Sequence, residues 1–257
     1  FDRSETLPSL SATWFFAEKM QLRAAAASTV SRPTLQELSE VRYRDPDSND
    51  LFLGNPDVEP AEIDAFDLRW EWFPSPSELV AVGVFTKDYT NPLEVEFIPG
   101  QGDDIRRVVN ADEGTVTGLE ATARVNLPRL TSAAGLEWAW AENVYVQTNV
   151  AFIDSEVTTE DLNATDDKRR MIGQADELFN LLAGYETGRH DFTLALNYTG
   201  DRLSTAGTDG LPNSVEQART QLDATYDYQL TDSASLSIEG GNLLDEEIER
   251  TQRGKVD

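Results

Sequence analysis

The sequence contains no cysteine and a single histidine, His190, among its 257 residues. Without thiols the chain cannot form disulfides, zinc–thiolate sites or a thiol nucleophile, although this absence leaves the compartment open. Basic residues are also scarce, because 21 lysines and arginines stand against 47 acidic residues, for a net charge of −26. A chain of this charge repels phosphate, so we do not expect it to bind nucleic acid.

Long hydrophobic runs are missing as well. The most apolar stretch, LVAVGVF at 79–85, is far shorter than the roughly 18 apolar residues of a transmembrane helix. The chain opens on Phe1 directly into strand-like sequence, with neither an initiator methionine nor the basic and apolar segments of a signal peptide. We therefore expect it to be an excerpt of a longer protein.

What the sequence does contain is a two-residue alternation of apolar and polar side chains, which is the period of a β-strand. In EIDAFDLRWEWF, for example, Phe66, Leu68 and Trp70 alternate with Asp67 and Arg69. Most such segments approach the 9–11 residues with which a tilted strand crosses a bilayer. The predicted strands cover 8–17, 20–31, 62–73, 78–90, 114–127, 143–153, 177–187, 190–200, 218–230 and 233–243.

Alternation alone fits both a soluble β-sandwich with one wet face and a membrane barrel. The links between the segments favour the barrel, because an up-and-down barrel has short turns on its periplasmic rim and long loops outside. Here short links alternate with long polar ones at 32–61, 91–113, 154–176 and 201–217. The link at 128–143, PRLTSAAGLEWAWAEN, is longer than its place among the short turns predicts.

Aromatic residues give an independent indication, because barrels carry aromatic girdles at the two membrane interfaces. Tyr89 and Tyr198 are predicted at the long-loop rim. The residues predicted near the short turns are Trp14, Phe15, Phe16, Trp70, Trp72, Phe73, Trp138, Trp140, Tyr185, Phe192, Tyr226 and Tyr228. The predicted fold class is therefore an all-β, antiparallel transmembrane β-barrel.

Five motifs follow one another in an order that is familiar from one family. They are LRAAAASTVSRPTLQEL, GNPDVEPAEIDAFDLRWEWF, VGVFTKDYTNPLE, NADEGTVTGLEATA and GGNLLDEEIE, spread over residues 22 to 249. The residues that carry the first two are Arg32, Pro33, Leu35, Glu37 and Leu38, then Gly54, Asn55, Pro56, Pro60 and Glu62. Together these motifs resemble the TonB-dependent outer-membrane receptors.

The resemblance implies a barrel of 22 strands with an amino-terminal plug inside it. The ten predicted strands would correspond to strands 12 to 21, so residues 1–257 would be the C-terminal half of the barrel, without the plug and the final strand. We expect the strand at 233–243 to pair with 218–230 on one side and with a strand beyond Asp257 on the other.

The function implied by the resemblance is that of an outer-membrane receptor and active transporter in a Gram-negative bacterium. Its ligand would be a scarce, bulky nutrient such as a ferric siderophore, a vitamin or a glycan. Its partners would be outer-membrane lipid and, through the missing N-terminal part, the TonB–ExbB–ExbD system. No cofactor is implied. The alternatives are a soluble acidic β-sandwich that acts as a binding module and an outer-membrane hydrolase.

The sequence offers no catalytic or metal-binding residue, and we do not expect an enzyme. Carboxylate pairs such as Asp166 and Asp167 arise by chance among so many acidic residues, and His190 is interpreted as a solvated turn residue. Arginine forks bind anionic ligands well. The candidate ligand-binding residues are therefore the loop arginines Arg42, Arg44, Arg106, Arg107, Arg169, Arg170 and Arg202. The alternative is that they pair with neighbouring carboxylates or with lipopolysaccharide phosphates.

Overall fold

The computed structural model describes residues 6–44, 51–98, 105–136, 138–159, 164–208 and 210–253. Apart from one α-helix and one 3-10 helix, the regular structure of these residues is all β. The strands are β1 (Ser9–Ala17), β2 (Met20–Ser31), β3 (Arg42–Arg44), β4 (Leu51–Leu53), β5 (Ala61–Trp72), β6 (Leu79–Thr90), β7 (Leu93–Ile98), β8 (Ile105–Asn110), β9 (Glu113–Asn126), β10 (Val144–Thr158), β11 (Lys168–Arg169), β12 (Glu177–Glu186), β13 (His190–Thr199), β14 (Arg202–Thr205), β15 (Asn213–Glu216), β16 (Arg219–Thr231), β17 (Ala234–Gly240) and β18 (Arg250–Arg253).

The ten long strands form one continuous antiparallel sheet, which we call the wall. Its order is β1-β2-β5-β6-β9-β10-β12-β13-β16-β17, so each long strand pairs with the next along the chain. This is the meander predicted from the alternation, and a sandwich of two packed sheets is the wrong alternative. Strand β10 differs from the prediction, since it runs to Thr158 instead of ending at 153 and pairs with β11 there.

The predicted pairing of the last long strand is confirmed on one of its two sides. Strand β17 pairs with β16, with Ile238 opposite Tyr226 and Leu236 opposite Tyr228. The expected pairing of β17 with a strand beyond Asp257 stays a prediction.

The wall has one polar and one apolar face, because neighbouring strands pair in a register that aligns their alternation. On the polar face, the buried Glu71 accepts a hydrogen bond from Gln21 and lies 3.1 Å from Arg69 Nε and 3.4 Å from Arg23 Nη2. On the apolar face, Leu68 of β5 pairs with Ala24 of β2, as the alternation predicts. Other residues on the polar face are Asp67, Arg124, Gln147, Asn149, Asn180, Asn197, Gln221 and Asp227.

One end of the wall carries the short links and is called the turn rim. The turns after β1 and β16 are tight, whereas the link between β9 and β10 contains a helix, α1 (Leu127–Ala133), and a 3-10 helix (Ala139–Asn143). Seven residues are too few for a helical period to show in the sequence, so α1 was not predicted. In the described part of the chain, no helix has the length and hydropathy needed to cross a membrane.

The opposite end of the wall carries the long links and is called the loop rim. Two small sheets lie there in addition to the wall. One has the order β3-β4-β8-β7 and the other the order β14-β15-β18. The predicted long loops are therefore partly built of short strands, which positions their side chains.

Candidate functional site

The links at the loop rim are joined to one another by backbone hydrogen bonds. Strand β4, from the link between β2 and β5, pairs in parallel with β8, from the link between β6 and β9. Isolated bridges connect Ala164 with Thr208 and Ala175 with Arg202, which ties the link after β10 to the link after β13. Strand β18 then adds to β15. These four links and the segment after β17 form what we call the loop layer.

Two of the sequence motifs meet at the base of the loop layer. Gly54 packs against the backbone of residues 36–39, where an added Cβ would lie 2.2 Å from the Ser39 carbonyl oxygen, so only glycine fits. The Asn55 amide N–H donates to the Glu37 carbonyl oxygen at 2.6 Å. The Asn55 side-chain amide donates to the Val108 carbonyl oxygen at 3.1 Å and so reaches β8. The motif residues therefore hold the first two links together.

The Asn-Leu-Leu-Asp motif has a comparable structural role after β17. Asn242 adopts a positive φ of 49°, and its backbone N–H donates to Asp223 Oδ1 at 2.8 Å. The Leu243 N–H donates to the Leu222 carbonyl oxygen at 2.7 Å. Asn242 and Glu246 also exchange two hydrogen bonds, of 3.0 and 3.1 Å. The motif thus folds the chain back onto β16 where β17 ends.

A buried ion pair connects the second and third links of the loop layer. Arg169 Nη1 lies 2.8 Å from Glu94 Oε2, and the two side chains are only 9% and 3% exposed. Burial raises the pKa of Glu94, while the guanidinium of Arg169 acts in the opposite direction. Because 75 residues separate the partners in sequence, this pair fixes the position of one link against another.

Three more of the candidate arginines bind carboxylates within the loop layer. Their distances are typical of charge-assisted hydrogen bonds. The pairs are Arg107 with Glu96 (Nε to Oε1 2.6 Å), Arg170 with Asp176 (2.6 Å) and Asp201 (3.1 Å), and Arg202 with Glu216 (2.7 Å). For Arg170, burial lowers the pKa, but the hydrogen bonds that the guanidinium donates to Asp201 and Asp176 outweigh this effect, and the pKa is raised.

The other three candidates lie on the small sheet of the loop layer. Arg42 and Arg44 are the two exposed ends of β3, and Arg42 faces Leu53, which in turn pairs with Arg107. Arg106 is half-buried and lines a cavity of about 190 Å³ between the links. The polar side chains around this cavity are Thr205, Thr208, Ser214 and Gln252. The structure thus brings Arg42, Arg44 and Arg107 onto one sheet but gives them different surroundings.

Among the described residues, no group of three or more histidine, aspartate and glutamate side chains is placed to hold a metal ion. His190 is exposed on β13, and its Nδ1 lies 2.8 Å from the Tyr226 hydroxyl, with the Tyr228 ring 4.8 Å away.

The family of the chain follows from a comparison with protein-family models. The model of the TonB dependent receptor-like β-barrel matches residues 1–243. The chain belongs to this family. The wall is thus part of a TonB-dependent receptor barrel, and its meander order is the one that such a barrel requires.

Named relatives support this membership. The chain is 23% identical over 212 residues to the vitamin B12 transporter BtuB of Vibrio vulnificus, covering 80% of this chain and 29% of that protein. Two similar solved structures come from Pseudomonas aeruginosa. A single-residue variant of the ferric enterobactin receptor PfeA gives a TM-score of 0.62 at 18% identity, covering 93% of this chain and 34% of that one. The siderophore receptor PirA gives a TM-score of 0.61 at 17% identity, covering 94% of this chain and 39% of that one. The chain therefore spans about a third of the length of these relatives, which are named as a transporter and receptors and not as enzymes.

In this TonB-dependent receptor barrel, the alternative that the loop arginines pair with carboxylates holds for Arg107, Arg169, Arg170 and Arg202, but sequence reasoning did not identify which carboxylates they bind. Glu94 and Glu96 alternate with valine in LEVEF, which is a strand signal inside a predicted loop, and it could have indicated that both side chains point the same way. Nothing local in the sequence indicates that Asp201 or Glu216 would reach an arginine.

Proposed function

We propose that residues 1–257 are the C-terminal half of the barrel of an outer-membrane receptor that imports a scarce, bulky nutrient. In this proposal the ten wall strands are strands 12 to 21 of 22. The turn rim faces the periplasm and the loop layer faces outward. A plug N-terminal to this chain couples the barrel to the TonB–ExbB–ExbD system.

The observation that carries this proposal is the joining of the long links into one layer at one rim. A layer held by strand pairing and a buried ion pair keeps its side chains in place, which reduces the ordering cost of binding. The polar face of the wall supplies hydrogen-bonding groups toward the lumen, as expected where a barrel encloses a plug or a polar channel. The soluble binding module is not retained, since the chain belongs to a barrel family.

The candidate arginines differ in how far their surroundings leave them open to a ligand. Arg107, Arg169, Arg170 and Arg202 are held by carboxylates, so an anionic ligand would have to displace a bonded partner to reach them. Because Arg42 and Arg44 lie at the exposed ends of β3, we propose that they make the first contacts with an anionic ligand, whatever contacts they make within the loop layer. The names of the relatives suggest two probes, ferric enterobactin as an anionic ligand and vitamin B12 as a comparison.

The test is to measure the binding of each probe to the purified full-length receptor by titration calorimetry. If Arg42 and Arg44 contact an anionic ligand, the double variant Arg42→Ala with Arg44→Ala should weaken ferric enterobactin binding at least about tenfold, since hydrogen bonds to charged groups are each worth about 1.5–3 kcal/mol. The matched control is Lys19→Ala, which removes an exposed cation at the turn rim and should leave binding unchanged.

Two results would contradict the assignment. An unchanged affinity in the double variant would remove Arg42 and Arg44 from the site. Binding of neither probe by the intact receptor, together with normal growth of a deletion strain on both nutrients, would remove this ligand class.

A further inference from the structure

The link between β9 and β10 is a folded segment of its own at the turn rim. In α1 (Leu127–Ala133), Pro128 stands in the first turn, where its missing N–H costs nothing. Gly135 follows with a φ of 73°, and the Leu136 N–H donates back to the Thr131 carbonyl oxygen at 2.8 Å. These are the features of a helix that ends at a residue in the left-handed backbone conformation.

Polar contacts fix this segment to the neighbouring turn between β5 and β6. Both oxygens of Glu78 lie 2.8 Å from Arg129 Nε, and Oε2 lies 2.7 Å from the Arg129 Nη2. The Asn126 N–H donates to Glu78 at 3.1 Å, and its side-chain amide donates to Ser77 at 3.0 Å. The segment is therefore tied to the β5–β6 turn through Asn126 and Arg129, whereas its Ser132 and Glu142 side chains are exposed.

The rest of the segment presents apolar side chains outward. Leu130 and Leu136 are 46% and 43% exposed, and Trp138 and Trp140 are 45% and 57% exposed. The two indole rings stack with centroids 5.4 Å apart and an interplanar angle of 16°. A stacked, half-exposed indole pair next to two exposed leucines is unusual for a surface that meets only water.

The patch lies at the end of the wall that carries a band of aromatic side chains. On the apolar face of the wall, Trp14, Trp72, Tyr185, Phe192 and Tyr228 lie at the same end of their strands, near the short turns. Tryptophan and tyrosine at the end of a transmembrane strand lie at the level of the lipid headgroups. The patch continues this aromatic band beyond the ends of β9 and β10.

We propose that the described part of the β9–β10 link, residues 127–136 and 138–143, is an interfacial anchor, in which Leu130, Leu136, Trp138 and Trp140 insert among the phospholipids of the periplasmic leaflet. The Glu78–Arg129 pair holds the anchor at the rim. Lipid covers the apolar patch, and the indole N–H groups can meet the headgroups. The anchor would thereby fix the height of β9 and β10 relative to the bilayer.

The test uses the absence of cysteine from this chain, which allows single spin labels. Labels are placed at Leu136→Cys and Trp140→Cys in the full-length receptor in phospholipid vesicles. Accessibility to oxygen, which concentrates in lipid, is compared with accessibility to a polar nickel complex. Leu119→Cys on the apolar face of β9 is the lipid control, and Ser233→Cys in the β16–β17 turn is the water control.

We expect the labels at Leu136 and Trp140 to give an oxygen-to-nickel ratio several-fold above that at Ser233 and below that at Leu119, because Leu119 lies deeper in the bilayer than the headgroups. A ratio equal to that at Ser233 would place the patch in water and overturn the anchor. Low accessibility to both reagents would mean that another protein surface covers it, which also overturns the anchor. If the Leu119 label itself reports water, the proposed placement of the barrel fails, and the anchor fails with it.

A second measurement covers the case in which a cysteine prevents folding. The unlabelled variant Trp138→Phe with Trp140→Phe keeps aromatic side chains in place. In the wild type, phospholipids brominated near the headgroup should quench part of the tryptophan emission. We expect the variant to lack part of this quenchable emission. Lipid-quenched emission equal to that of the wild type would overturn the proposal.

Discussion

The buried pair of Glu94 and Arg169 should hold the second and third links of the loop layer together. At an effective dielectric constant of 20, two unit charges about 4 Å apart attract by about 4 kcal/mol. Desolvation offsets part of this, as the burial-raised pKa of Glu94 indicates. Removing one partner is more costly than the net value of the pair, about 3–5 kcal/mol, because the other charge stays buried without compensation.

The change is Arg169→Met, and the expected result is a local opening of the loop layer while the wall keeps its structure. Hydrogen exchange of the β7 amides in the full-length receptor measures this opening. A loss of about 3–5 kcal/mol should speed their exchange by on the order of a hundredfold or more. The double variant Glu94→Leu with Arg169→Met should recover most of the protection, because an apolar pair replaces two buried charges.

The matched control is the next residue along the same strand. Lys168 Nζ lies 2.8 Å from Glu156 Oε1, but the two side chains are 63% and 49% exposed. Exposed pairs contribute about 0–1 kcal/mol, so Lys168→Met should change exchange by less than about fivefold. If Arg169→Met and Lys168→Met affect β7 equally, burial does not strengthen the pair and the reasoning is refuted.

Two further predictions concern the turn rim and the faces of the wall. Hydrogen bonding to Arg129 lowers the pKa of Glu78 from 4.5 to about 2, so the pair should stabilise the fold above about pH 4.5 and lose this effect as the pH falls towards 2. Because Arg129 is 43% exposed, solvent screens the pair and the effect should be small; it is measured at pH 7 as the difference in unfolding midpoint between wild type and Glu78→Gln, and a difference that is undiminished at pH 2 would contradict this. Leu194→Arg, on the apolar face, should impair assembly by about 2–4 kcal/mol, whereas Thr193→Arg on the polar face should not. Heat-modifiability gels of the full-length receptor compare them, and equal behaviour would mean that the faces are assigned wrongly.

The wall was largely predictable from the sequence because its signal is local. Each strand shows the two-residue period on its own, and turn residues such as Lys19 and Asp232 mark the points where the period breaks. Segments joined by short turns pair with one another, and the alternation of short turns with long loops, which is typical of an up-and-down barrel, predicted the rest of the strand order. The extra length of β10 was missed because Ser155 and Glu156 are polar and look like a loop.

The loop layer was not predictable in the same way. Strand β4 has three residues and pairs in parallel with β8, which is more than 50 residues away in sequence. No period can show in three residues, and no turn determines such a pairing. The arginines were identified as a group, but with 47 acidic residues in the chain the sequence could not indicate which carboxylates would bind them. Their partners depend on how separate links pack.

The parallel pairing of β4 with β8 has a consequence for how such receptors can diversify. Loops on a barrel rim usually vary in length independently, since each is anchored only by its own two strands. Here an insertion in either link would shift one strand of a shared ladder and leave backbone groups of the other unpaired. The two links should therefore change together, and a chimaera that exchanges only one of them with a relative should lose the ladder that a paired exchange preserves.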